Sequence, residues 1–121
     1  MLPVDDTRTM HLEAAAFRRL VAHLQTRTDV QNIDLMNLAG FCRNCLANWI
    51  EDAARTEGLA VDKEAARTHV YGMPQAEWRA CFQSDATAEQ QHAFSQAAPA
   101  GEATPAHDED RAAPVSRNAE A

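Results

Sequence analysis

Isoleucine, tyrosine and glycine are scarce in this 121-residue chain, at two, one and four residues. With so little of the β-branched and aromatic material that strands favour, a sheet is a poor expectation. No apolar run approaches ~20 residues, which excludes a transmembrane helix. The first residues, Met1-Leu2-Pro3-Val4-Asp5-Asp6, lack the basic flank and apolar stretch of a signal peptide. A serine nucleophile elbow, a phosphate-binding glycine loop and an HExxH pair are all missing. No residue is therefore assigned a catalytic role, and the sequence leaves open whether the protein is an enzyme. Basic charge is also short, with eleven bases against eighteen acids for a net charge of −7. The one base cluster, Arg18-Arg19 with Arg27 further on, is too small to hold a phosphate backbone, so nucleic acid is not an expected partner. Three cysteines without an export signal point to a reducing cytoplasm rather than a disulfide scaffold.

What is abundant is alanine, 25 residues, followed at a distance by leucine with eight. Both favour helix. The larger apolar side chains number 30, enough for one small core and too few for two. The expectation is all-α, a small bundle or array of about four to five helices formed by residues 1–97. Residues 98–121 hold three prolines, eight alanines, five acids, two arginines and one larger apolar residue, Val115. That composition cannot offset chain entropy by burial, and it predicts a disordered acidic tail.

Spacings of three and four place the first helix at about Thr9 to Thr26, with Leu12, Ala16, Phe17, Leu20, Val21 and Leu24 on one apolar face. His23 lies on the flank of that face. A second, longer helix is predicted from the Asp34 cap to the stop at Gly58. In it Leu35, Leu38, Ala39, Cys42, Leu46, Trp49, Ile50 and Ala53 share one side, and Asn37, Asn44, Asn48 and Glu51 take the other. Gly40 falls on the side of this helix without interrupting the pattern. Asp62 caps a helix over Lys63 to Tyr71 that Gly72 ends. Pro74 opens Gln75 to Phe82, and Thr87 with Gln90 has capping-box spacing for a helix to Gln96.

The one motif with chemical content is Cys42-Arg43-Asn44-Cys45. As a thiol redox pair it would need its first cysteine at a helix N-terminus. The periodicity instead puts Cys42 inside the second helix, unless the chain breaks at Gly40. As a metal site the pair offers two thiolates about 5–6 Å apart at Cβ, but a closed zinc site needs two more ligands and there is no second CxxC. His23, Asp34, His69 or Cys81 would have to complete it. Both cysteines could equally be small buried hydrophobes. Asp29 to Asp34 fails as a calcium loop, since its sixth and twelfth positions are Asp34 and Gly40 rather than Gly and Glu.

Phe17-Arg18-Arg19-Leu20-Val21, His23-Leu24 and the run from Arg27-Thr28-Asp29 to Asn44-Cys45-Leu46 resemble a short proteobacterial family, domain of unknown function 1244. Val70-Tyr71-Gly72-Met73-Pro74 and Glu77-Trp78 extend the resemblance, which spans roughly residues 10–90. It implies a small cytosolic all-helical fold that is dimeric in some form, and it brings no activity. Cys81 and the acidic tail stand outside the pattern.

Two functional readings follow. The first is a helical protein binding a divalent metal, zinc or iron, through Cys42 and Cys45, with His23 as third ligand and Asp34 as a weaker fourth. Here Arg43 would help to hold the thiolates deprotonated. The second is a non-catalytic module that forms a homodimer or docks on a protein partner, because so short a chain cannot cover the apolar stripes of two long helices. Thiol redox activity is a third.

Overall fold

A computed structural model describes residues 1–97, and the expected disordered tail lies outside the described residues. Within them the chain forms six helices and no strand: α1 (Asp6–Thr26), α2 (Asn32–Ala39), α3 (Arg43–Thr56), α4 (Lys63–Tyr71), α5 (Gln75–Phe82) and α6 (Ala88–Gln96). The all-α expectation holds, with one helix more than the upper estimate. No described helix is long and apolar enough to cross a membrane.

The extra helix comes from Gly40. It adopts φ 79°, a left-handed conformation that closes α2 by donating its N–H to the Met36 carbonyl. Only glycine enters that region without steric cost. Phe41 follows, and Cys42 is extended, at φ −142° and ψ −175°, as the residue that starts α3. The single long helix expected from Asp34 to Gly58 is thus two helices. The break uncouples the facing of the residues on its two sides, so the single apolar stripe does not hold across it. Leu38, expected in the core, is 87% exposed, while Asn44 and Asn48, expected outside, are buried.

Local signals set the remaining boundaries. Asp5 accepts the Arg8 N–H to start α1, and Asp62 accepts the Ala65 N–H to start α4. Thr87 and Gln90 form the reciprocal capping box of α6. Asp34 is not the cap of α2 but its third residue, closing a capping box with Gln31.

The main core joins Leu24 of α1, Leu46 and Ala47 of α3, and Ala66 and Val70 of α4. α3 packs chiefly on α4, α2 on α6, and α1 and α5 on α4. α1 is the least engaged of the long elements. Its 21 residues bury only Val21 and Leu24, so the single apolar face expected for it is split between core and solvent.

Candidate functional site

The α2–α3 corner holds the chemistry. Gly40 turns the chain so that Cys42 precedes α3 and Cys45 sits in its first turn, one above the other. Both are buried, and Met36 from the end of α2 is buried with them. Leu35, Phe41, Trp49 and Phe94 pack around the three sulfurs, Phe94 being the contribution of α6. The Phe41 and Trp49 rings are 6.2 Å apart. The hydrogen bond with the Cys45 sulfur, followed by burial, pushes the Cys42 thiol well above its ordinary range. At neutral pH it is a protonated thiol, not a nucleophile.

This placement corrects the helix-interior position expected for Cys42. A break at Gly40 satisfies the topological condition for a redox pair, while burial and the raised Cys42 thiol work against a thiolate there. Arg43 does not serve the thiolates either. Its guanidinium is only 1% exposed and points into a different network. One terminal nitrogen donates to the Val30 carbonyl at 2.9 Å and to Asn32 Oδ1 at 3.0 Å, and the other to the Arg27 carbonyl at 2.9 Å. The flat cation lies 4.6 Å over the Trp78 ring. Burial lowers its pKa from the ordinary guanidinium value, yet a guanidinium remains charged in any such setting.

From Arg43 the network runs on without a gap. Asn32 donates to the Tyr71 hydroxyl at 3.0 Å, and that hydroxyl donates to Asn44 Oδ1 at 2.8 Å. Gln75 donates to the same Asn44 oxygen, and Arg67 donates to Gln75. Burial pushes the Tyr71 hydroxyl up to about 12. These residues tie the α1–α2 loop, α3, α4 and α5 together at one point. Sequence reading missed them because it placed Asn44 on the outer face. The available signal was the run of Asn32, Asn44 and Asn48, which comes into phase with the core only after a break at Gly40.

The expected four-ligand set is not assembled. His23 is exposed on α1. The Asp34 carboxylate is occupied, accepting the Gln31 N–H at 3.1 Å and the Gln90 side-chain amide at 2.9 Å. His69 and Cys81 are exposed on α4 and α5. Among the described residues, no three His, Cys, Asp or Glu side chains are grouped to hold a metal ion. The physical reason is that α1 and the capping box commit His23 and Asp34 elsewhere, while Met36, Leu35 and aromatic side chains pack against the cysteines. A separate cavity of about 370 Å³ between α1, α3 and α4, lined by Phe17, Ile50, Val61 and Ala66 among others, is mostly apolar, with Arg18 and His69 as its polar lining.

No curated protein matches the chain. Residues 30–96 match a family described as Protein of unknown function (DUF1244). That span begins at the loop whose carbonyl Arg43 binds, contains both cysteines, and ends with α6, so it takes in the thiol pair and almost all of the network around it. The match covers more than half of the chain, and the protein belongs to the DUF1244 family.

Proposed function

We propose that this protein is a homodimeric helical association module in which α1 is the pairing element. One observation carries the reading: α1 leaves Met10, Leu12 and Leu20 at 53%, 52% and 37% exposure while burying two residues. Leu12, Ala16 and Leu20 recur every four residues and form a stripe beside the core-facing side of the helix. Covering the exposed halves of Leu12 and Leu20 on both copies would contribute on the order of 4–6 kcal/mol. The small side chain of Ala16 lets a second helix approach closely.

Charge selects the occupant and its direction. At about 100° per residue, Arg8 and Arg19 border one edge of the stripe, and Asp6 and Glu13 border the other. All four are exposed, and none joins an ion pair among the described residues. In a parallel two-fold pair the basic edge of each copy meets the acidic edge of the other. An antiparallel pair would set like charges together, which is unfavourable.

Sedimentation equilibrium at about 10–200 µM tests this. A dimer that Leu12→Glu or Leu20→Glu converts to a monomer is the expected result. Thr9→Cys should cross-link to its own copy under mild oxidation, as only a parallel pair allows. A strictly monomeric wild-type chain across that range overturns the reading.

A further inference from the structure

The end of α2 and the start of α3 bring three sulfur side chains into one buried cluster: Met36, Cys42 and Cys45, at 2%, 5% and 6% exposure. The two cysteine side chains and Met36 pack in a single buried cluster. No carboxylate or imidazole joins them to make a group of three among the described residues. A zinc site is therefore two ligands short. That shortage disappears for a soft monovalent ion, for which thiolate and thioether sulfur are the preferred ligands. We propose that Met36, Cys42 and Cys45 form a binding site for one soft monovalent cation of the Cu(I) type, with the two cysteines as principal ligands and the Met36 thioether as the third.

The chemistry balances without an oxidant. Cu(I) enters, each thiol gives up its proton to solvent, and no electron moves. The occupied centre carries one net negative charge. The N-terminal end of α3, whose helix dipole favours negative charge, offsets it. The surrounding Leu35, Phe41, Trp49 and Phe94 keep water from the sulfurs. Such a dry shell suits a metal that needs no water ligand.

Access runs through α6. This helix buries no residue completely. Gln90 holds it, donating to Asp34 and accepting from Asn37 through its carbonyl, and Phe94 covers the cluster. α6 is thus a cover seated on α2, and lifting it uncovers the sulfurs while the α3–α4 core stays packed. This proposal stands independently of pairing through α1.

The test uses the full-length chain with Cys81→Ser, which removes the exposed thiol. The reduced protein is titrated anaerobically with Cu(I) held by bicinchoninate, whose colour reports transfer. One Cu(I) per chain is expected, with copper-edge X-ray absorption showing sulfur neighbours only. Met36→Leu should keep the stoichiometry and weaken affinity about tenfold, the scale of one partner in a ligand shell. Adding Cys42→Ser and Cys45→Ser should abolish uptake, and Phe94→Ala should speed it. Nitrogen or oxygen neighbours in the absorption spectrum, no transfer from the chelator, or unchanged affinity in Met36→Leu would each overturn the three-sulfur site. The spectrum decides the matter even if the double serine variant does not fold.

Discussion

Replacing Arg43 with methionine tests whether one buried cation organises this fold. Methionine has similar length and fits an apolar setting, so the change removes donors more than volume. Three acceptors then lose their partner: the Val30 and Arg27 carbonyls and Asn32 Oδ1. Arg27 is exposed, so water can reach its carbonyl and that loss is small. Asn32 is 3% exposed, and its orphaned oxygen costs about 1–3 kcal/mol. The Val30 carbonyl, partly buried, adds about 1 kcal/mol. Loss of the contact with Trp78 at 4.6 Å adds about 1 kcal/mol. Relief from burying a charge offsets part of this. The net expectation is a loss of about 3 kcal/mol, a large share of the ~5–15 kcal/mol that stabilises a typical domain. Arg43→Lys keeps the charge but not the planar fork, and should lie between the variant and wild type. Urea unfolding followed by tryptophan fluorescence measures both, since Trp78 reports the site itself. If Arg43→Met stays within about 0.5 kcal/mol of wild type, the usual scatter for sites without special roles, the network is decoration rather than a tie.

Three further outcomes are expected. Gly72→Ala should cost about 2 kcal/mol and Gly58→Ala about 1, because both take left-handed φ but only at Gly72 would a Cβ lie 2.9 Å from Gln25 Cδ, whose amide binds the Val70 carbonyl; equal losses in thermal unfolding would contradict the contact argument. Tyr71 is neutral in the folded state up to about 12 while its unfolded counterpart ionises near 10. In that window the folded chain holds more protons, so the contribution of Tyr71 is full below pH 10 and is lost as pH rises toward 12, by up to about 1.4 kcal/mol per pH unit. Cys42 shifts the same way and starts the decline near pH 9, and Tyr71→Phe should flatten the upper part of the curve measured by denaturant titration. In native, metal-free protein at pH 7, a thiol-specific disulfide reagent should modify Cys81 at once and Cys42 and Cys45 slowly, as their burial requires; three equally fast thiols would show that α6 does not cover the pair.

Much of the architecture is written locally and was legible for that reason. Asp62 with Gly72 delimits α4, Pro74 opens α5, and Thr87 with Gln90 starts α6, each through contacts within a few residues. Composition alone decided that the chain is helical, since alanine and leucine dominate and strand formers are few. The site was not legible, because it depends on one backbone choice. A glycine on the side of a helix can be tolerated or can terminate it, and the periodicity on either side of Gly40 is compatible with both. Tertiary packing settled it: with Gly40 left-handed, Asn32, Arg43 and Asn44 meet Tyr71, Gln75 and Trp78 from segments some 30 residues away, and satisfy their polar groups together. The same turn brings Met36 against Cys42 and Cys45, which no spacing rule would group. The sequence by itself determined the helices and most of their ends, because caps and stops act over three or four residues. Only the tertiary structure decided which face of α3 is buried and what surrounds the thiols, because both follow from where distant hydrogen-bond partners can be satisfied.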